Sequence, residues 1–187
     1  VNPHFLFNTL NSLSTLVLRN RPEEAESMIM NLSTFYRTSL TGDPLDDVPL
    51  EDEVQLQRLY LAIEAVRFPD RLKIEIDVPD SALTCCVPGL ILQPLVENAI
   101  KYGVARATRP VTICITAREI DEVLHITVSD DGDVLPSDLD KGSGIGLANV
   151  RDRLDARYGS AARIEWHVPF EGGFVVDLTM PAVRHVC

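Results

Sequence analysis

The stretch DKGSGIGL, from Asp140 to Leu147, has a glycine at every second position just before a helical pattern that runs from Ile145 to Tyr158. Glycine permits positive φ angles and a close approach to the backbone, and the N–H groups at the start of a helix attract phosphate. The stretch therefore favours a phosphate-binding loop. An ordinary glycine-rich turn has the same composition, so the loop alone leaves both interpretations open.

A helical segment upstream of this loop carries polar residues that suit a nucleotide. In LQPLVENAIKYG, residues 92–103, the α-helical spacing places Asn98, Lys101 and Tyr102 on one face, opposite apolar residues. The amide of Asn98 can help to hold Mg2+, and Lys101 can reach a phosphate. Glu97 precedes Lys101 by four residues, which is the spacing of an ordinary surface ion pair.

A third segment ends a strongly apolar strand. Asp130, Asp131 and Gly132 follow that strand directly, where a carboxylate can accept a hydrogen bond from an exocyclic amine such as that of adenine. Asp and Gly are also the usual residues of a turn, and a turn is the alternative interpretation.

The N-terminal region has the pattern of two helices joined by a short turn. The first runs from Pro3 to about Leu18, and the second begins at Pro22. Such a hairpin cannot bury both of its apolar faces alone, so we expect a second copy of the chain to complete a four-helix bundle. The alternative is that the hairpin folds back onto its own domain. The apolar faces are Leu6, Leu10, Leu13 and Val17 in the first helix and Ala25, Met28, Leu32, Phe35 and Ser39 in the second.

A linker composition in residues 41–49 separates this hairpin from the rest of the chain. Helical spacing resumes at Leu50 and ends before Pro69. Strand patterns then occur in RLKIEIDV, PVTICITAREI, EVLHITVSD, ARIEWHV and GGFVVDLTM, mixed with helices over residues 89–102 and 145–158. This order favours an α/β fold of the two-layer kind, a sandwich in which helices cover one face of the sheet.

Composition narrows the function classes. The net charge of −11 opposes binding to DNA or RNA, whose affinity depends on Lys and Arg neutralising phosphates. The four cysteines show neither metal-site spacing nor a dense disulfide framework, which favours a reducing, cytoplasmic setting. No apolar run is long enough to span a membrane, so we expect no membrane contact within this region. The chain opens on Val1 within a running motif, and we expect an upstream part that could anchor the parent protein to a membrane.

Taken in order, the motifs NPHFLFNTLN, YLAIEAVRF, LQPLVENAIKYG, SDDGD and GSGIGLANVRDRL resemble the LytS-like family of sensor histidine kinases over nearly the whole chain. The resemblance implies a dimerising hairpin, residues 1–46, that carries a phosphoacceptor histidine. It also implies an ATP-binding domain, residues 47–187, of the Bergerat type shared with gyrase and MutL. The implied partners are a second copy of the chain and a response regulator with an aspartate acceptor, and the implied cofactors are ATP and Mg2+.

By motif position, the resemblance implies that His4 accepts the phosphoryl group, Asn98 ligates Mg2+ and Asp130 contacts adenine. Asn8, one helical turn after His4, could orient water in a phosphatase reaction or be a plain surface amide. The implied nucleotide-binding residues are Asn98, Lys101, Tyr102, Asp130, Gly132, Gly142, Ser143, Gly144, Ile145, Gly146 and Leu147.

The sequence departs from the family pattern at three places. Asp131 and Val134 replace the Asn and the second Gly of the usual Asp-Asn-Gly-x-Gly box, and Asp133 adds a further carboxylate. Phe5 follows His4 where many histidine kinases have an acidic residue, which leaves the base for His4 unassigned. Pro94 stands where the related ATPases have a water-activating Glu, which favours transfer to histidine over hydrolysis. The alternative function is a degenerate nucleotide-binding scaffold that signals through its hairpin dimer.

Overall fold

A computed structural model of the protein describes residues 3–41, 46–134, 144–184 and 187, with only the backbone of residues 144 and 145. Two helices open the chain: α1 (Pro3–Leu18) and α2 (Pro22–Thr41). Both begin where the sequence predicts. Pro22 suits the first turn of α2, because a backbone N–H at that position would have no partner within the helix. The negative charges of Glu23 and Glu24 are stabilised by the positive N-terminal end of the helix dipole.

The rest of the chain combines a five-stranded sheet with a second, two-stranded one. The elements are β1 (Asp47–Pro49), α3 (Leu50–Arg67), β2 (Leu72–Asp77), α4 (Asp80–Leu83), β3 (Cys86–Pro88), α5 (Gln93–Asn98), β4 (Val111–Ile120), β5 (Val123–Asp130), α6 (Gly144–Tyr158), β6 (Arg163–His167) and β7 (Phe174–Pro181). The main sheet has the order β2-β4-β5-β7-β6, in which β2 and β4 are parallel and the other pairs are antiparallel.

Alternating burial along the strands shows that one face of the main sheet lies under the helices. In β4, β5 and β7 every second residue is buried and its neighbours are partly exposed over most of each strand. This confirms the two-layer α/β architecture. The small sheet, in which β1 and β3 pair antiparallel, was not predicted, because three-residue strands carry too few residues for a recognisable alternation.

The helix predicted over residues 89–102 is shorter and changes its winding. It begins as α5 at Gln93, with Pro94 in the first turn, so the proline costs no internal helical hydrogen bond. From Ala99 to Val104 the chain continues as a π-helix. Arg71 binds the end of this segment, since its guanidinium donates to Val104 O (2.7 Å) and to the carbonyl of Ala107 just beyond it.

The hairpin packs against α3 of its own chain with one face and leaves another face exposed. Ala25, Met28 and Phe35 are buried within the chain, as the alternative interpretation of a folded-back hairpin requires. On α1, Leu6, Leu10 and Val17 remain exposed, as do several other large apolar residues of the hairpin. The second helix therefore uses its apolar seam inside the chain, and the first keeps most of its own seam at the surface.

A disulfide joins Cys86 of β3 to Cys187, with the two Cα atoms 5.8 Å apart. The sequence did not predict this bond, because its two cysteines lie 101 positions apart. The bond departs from the expectation of a reducing setting, which rested on cysteine spacing alone. Backbone contacts bring the same two segments together, since Cys86 N donates to Val183 O. Among the described helices, none is long and apolar enough to cross a bilayer.

Gly173, at the tip of the β6–β7 hairpin, is expected to be intolerant of a side chain. Its φ is +90°, and a Cβ there would lie 2.2 Å from the carbonyl oxygen of Asp130. Gly173→Ala should lower the free energy of unfolding by about 3 kcal/mol or more, from combined strain and overlap with backbone. Guanidinium unfolding measures this change.

The matched control is Gly159→Ala, because Gly159 also has a positive φ (+56°) but no atom lies within 4 Å of its added Cβ. Only backbone strain would act in Gly159→Ala, and we expect its free energy of unfolding to fall by about 1 kcal/mol. Equal losses in the two variants would contradict the close packing of Gly173 against the end of β5.

Candidate phosphotransfer and nucleotide site

Asp130 lies at the end of β5 on the face that the helices cover, in line with the buried Leu124, Ile126 and Val128. Its side chain is 6% exposed, and its Oδ1 accepts a hydrogen bond from Gly132 N (2.9 Å). Burial raises the pKa of Asp130 to about 6, an effect that the Gly132 N–H opposes and the neighbouring Asp131 adds to. Above that pH the group is mainly a carboxylate, as a hydrogen-bond acceptor for an amine requires.

Two glycines permit this buried position. A Cβ on Gly103 would lie 2.6 Å from Asp130 Oδ1, and one on Gly132 would lie 2.7 Å from both Asp130 Oδ1 and Gly103 Cα. Gly103 belongs to the π-helical segment and Gly132 to the loop after β5. The two glycines therefore let this helix and this loop close around one carboxylate.

The two additional carboxylates of the altered box have partners of their own. Asp131 Oδ1 accepts a hydrogen bond from Thr112 N (2.7 Å), so the contact between β4 and β5 continues one residue beyond the end of β5. Asp133 forms an exposed ion pair with Arg109 (3.0 Å), and Arg109 also donates to Asp131 O. Asp131 and Asp133 are therefore held by β4 and by the segment before it.

Asn98 ends α5 with a buried amide. Its Nδ2 atom is buried and has no hydrogen-bond partner among the described residues. A Cβ added to Gly146 would lie 3.9 Å from this Nδ2 atom, so Asn98 is close to the start of α6. A buried amide of this kind fits an additional polar group such as a phosphate oxygen, and its carbonyl oxygen is a suitable ligand for Mg2+. Among the described residues, no group of three or more acidic, Cys or His side chains is arranged to hold a metal ion.

The glycine-rich loop is described only from the point where the helix begins. Gly142 and Ser143 lie outside the described residues, and α6 begins at Gly144 as the loop-to-helix pattern predicts. Leu147 is 1% exposed and belongs to the apolar core, so it would serve a nucleotide only through its backbone. Gly146 lies close to the start of α5, since a Cβ added to Gly146 would lie 3.7 Å from Pro94 Cβ.

The shared face predicted for Asn98, Lys101 and Tyr102 stays a prediction, because it assumed α-helical winding throughout the segment. The chain becomes π-helical at Ala99, so α-helical spacing no longer gives the direction of side chains beyond that residue. Asn98 and Lys101 line one cavity, and Tyr102 is not among its lining residues. The ring of Tyr102 instead has cations at 4.8 Å, Lys101 Nζ and the Arg106 guanidinium.

This cavity has a volume of about 480 Å³ and lies between the hairpin and the sheet domain. Three elements supply its polar groups, α1, α3 and the helix that contains Asn98. Its described lining consists of His4, Phe5, Tyr60, Glu64, Arg67, Glu97, Asn98, Ile100, Lys101 and Ala105. The predicted phosphoacceptor and the predicted Mg2+ ligand therefore border the same space.

An aromatic cluster holds α1 in this place. Phe5 is buried, with its ring centroid 4.9 Å from that of Tyr60 on α3 and 5.5 Å from that of Phe35 on α2. Because His4 precedes Phe5 directly, this packing keeps the exposed His4 beside α3. Asn8 Nδ2 lies 3.0 Å from His4 Nδ1, so the amide also orients the imidazole ring.

Two family models match this chain in succession. The first, described as histidine kinase, matches residues 1–72, and the second, described as histidine kinase-, DNA gyrase B- and HSP90-like ATPase, matches residues 88–184. This chain belongs to the sensor histidine kinases. The family expected from the sequence, the sensor histidine kinases, is therefore confirmed.

Curated relatives of this sensor histidine kinase match it over most of its length. It is 36% identical to sensor histidine kinase YesM of Bacillus subtilis, an alignment that covers 100% of this chain and 33% of that protein. It is 35% identical to sensor protein LytS of Staphylococcus saprophyticus, with 97% and 32% covered. The kinase BtsS of Escherichia coli is 38% identical, with 85% and 28% covered. The chain thus spans about a third of the length of these relatives.

Solved structures share the fold of this kinase at low sequence identity. The histidine kinase AdeS of Acinetobacter baumannii superposes with a TM-score of 0.54 at 17% identity, covering 89% of this chain and 82% of that one. The histidine kinase domain of the blue-light activated kinase from Erythrobacter litoralis has a TM-score of 0.54 at 16% identity, with 97% and 96% covered.

Sequence reasoning missed the buried polar residues of α3 in this kinase. Glu53, Gln57 and Glu64 are each at most 3% exposed. With Tyr60 they follow a 4-3-4 spacing, so polar residues occupy a stripe where core residues are expected, and this signal could have been found. Glu53 has a structural role, because its two carboxylate oxygens accept hydrogen bonds from Leu90 N (2.6 Å) and Leu92 N (3.0 Å) just before α5.

Proposed function

We propose that this chain transfers the γ-phosphoryl group of ATP to His4. The observation that carries the proposal is the shared cavity, because His4 of the hairpin and Asn98 and Lys101 of the sheet domain line the same space. Phosphoryl transfer depends mainly on positioning and on neutralising charge, and the cavity supplies a nucleophile together with cations.

Each end of the nucleotide has a group of suitable chemistry. The carboxylate of Asp130 would accept a hydrogen bond from the adenine amine. Asn98, with Mg2+, would hold the phosphates, and Lys101 would neutralise part of their charge. The backbone at the start of α6, with Gly142, Gly144 and Gly146, would add N–H donors at a helix N-terminus.

The hairpin suits a second copy of the chain. Within the proposal, residues 1–46 form the dimerisation and phosphoacceptor unit and residues 47–187 form the ATP-binding unit. Burying exposed apolar surface against an identical hairpin would complete a four-helix bundle. The exposed apolar residues of the hairpin are Leu6, Phe7, Leu10, Val17, Leu18, Ile29, Met30 and Leu40.

This chain spans about a third of the length of its curated relatives, and the further steps are proposed for the whole protein. We propose that phosphorylated His4 passes its group to an aspartate of a response regulator, in a cytoplasmic setting. Asn8 lies against His4, where its amide could also orient water towards a phosphorylated partner in a phosphatase reaction.

Incubation with Mg2+ and γ-labelled ATP tests the proposal. We expect the protein to acquire a phosphate that is labile in acid and stable in base, as phosphohistidine is. ATP binding without any label at saturating nucleotide would overturn the proposal in favour of the scaffold. Release of inorganic phosphate without a labelled protein would overturn it in favour of an ATP-hydrolysing enzyme.

A further inference from the structure

The transfer of a phosphoryl group to His4 needs a proton acceptor, and Phe5, the residue after His4, cannot be one. A neutral imidazole carries one N–H proton, and the neutral phosphorylated ring carries none. The reaction therefore forms an N–P bond and breaks the bond between the γ-phosphorus and the oxygen that leaves with ADP and its electron pair. It also releases the ring proton. Phe5 is apolar and is committed to packing against Tyr60 and Phe35.

We propose that the carboxylate of Glu64, on α3, accepts this proton. The inference rests on the proposed role of His4, and it assigns to α3 the function that an acidic residue beside the histidine would otherwise have.

The packing of α1 on α3 brings Glu64 to the site. Phe5 contacts Tyr60, and Glu64 follows Tyr60 by four residues, one helical turn along the same face of α3. Both His4 and Glu64 line the cavity of about 480 Å³. The same face of α3 thus anchors the helix that carries His4 and presents a carboxylate to the same space.

The surroundings of Glu64 suit a group that takes up and releases a proton near neutral pH. The side chain is 3% exposed, and its charged partner is Arg67 at 3.5 Å. Burial raises the pKa of Glu64 to about 7, Arg67 opposes this rise, and the charge of Glu97 on α5 adds to it. A general base is most effective when its pKa lies close to the working pH.

The other acidic residue of the cavity is already engaged. Glu97 Oε1 accepts a hydrogen bond from Gln93 Nε2 (2.8 Å), and Gln93 Oε1 accepts one from Gln57 Nε2 (3.1 Å). This chain of contacts ties Glu97 into the packing between α3 and α5. Glu64 is also paired, but its contact with Arg67 is longer, at 3.5 Å, which makes Glu64 the better candidate for exchanging a proton.

The test compares Glu64→Gln and Glu64→Ala with wild type in the rate of His4 labelling by Mg2+ and γ-labelled ATP. Glu64→Gln keeps the volume and removes the base, and we expect labelling to slow by about 100-fold or more, with the dissociation constant for ATP changed less than about threefold. Glu51→Gln, an exposed residue on the same helix, is the matched control and should label at the wild-type rate.

Chemical rescue separates proton transfer from a purely structural role. Formate can enter the space left by Glu64→Ala and act as a carboxylate, so it should restore labelling at least tenfold, whereas chloride at equal ionic strength should not. Normal labelling of Glu64→Gln would overturn the inference and leave the role of His4 intact. Slow labelling of a folded, ATP-binding Glu64→Ala without rescue by formate would also overturn it. Absence of label in the wild type would instead refute the proposed function itself.

Discussion

Replacing His4 with glutamine is expected to abolish the acid-labile phosphate while leaving the fold and ATP binding unchanged. Glutamine has no nucleophilic ring nitrogen, so the γ-phosphoryl group has no acceptor in the cavity. His4 is exposed, and exposed substitutions usually change the free energy of unfolding by no more than about 0.5 kcal/mol. Labelling with γ-labelled ATP and a thermal melt with and without ATP measure the two properties separately.

His167→Gln is the matched control, because His167 is an exposed histidine on β6, outside the lining of the cavity. This variant should acquire label at the wild-type rate. Persistent acid-labile label in His4→Gln would show that another histidine is the acceptor and would contradict the assignment of His4.

Asn98→Ala is expected to lower the rate of labelling by about 100-fold to 1,000-fold. The substitution removes the side-chain amide that Asn98 adds to the described lining of the cavity. Loss of a single preorganised polar group at a transferring centre typically has an effect of this size. The thermal stabilisation by Mg2+ and ATP should shrink with it, since that stabilisation follows the affinity for the folded state. Labelling rates over a range of Mg2+ concentrations measure the effect, and a normal rate in Asn98→Ala would contradict the metal-binding role.

Mixing His4→Gln with Asn98→Ala tests whether the phosphoryl group is transferred within one chain or between two chains. Each variant retains the group that the other lacks, but His4 and Asn98 of one chain line one cavity. The mixture should therefore stay as weakly labelled as Asn98→Ala alone. Recovery of strong labelling would mean that the phosphoryl group crosses between two chains and that the observed cavity is not the one in which transfer occurs.

Local patterns predicted the elements that depend on neighbours in the sequence. The starts of α1 and α2 follow from Pro3 and Pro22, and β5 ends at Asp130, where the apolar strand pattern ends. These features could be predicted because capping, spacing and alternation act over a few residues. The change to π-helical winding at Ala99 was not predicted, because it has no signal in the local spacing.

Sequence alone determined the family, the two-layer α/β class and the order of the nucleotide-binding motifs, since these rest on residue types and short spacings. Only the tertiary structure decided that His4, Glu64 and Asn98 border one cavity, because this depends on α1 docking against α3 through Phe5 and Tyr60. It also decided the Cys86–Cys187 pairing, which spans 101 positions. Contacts between distant segments form when apolar faces find each other in the folded chain, and no local pattern specifies which faces will meet.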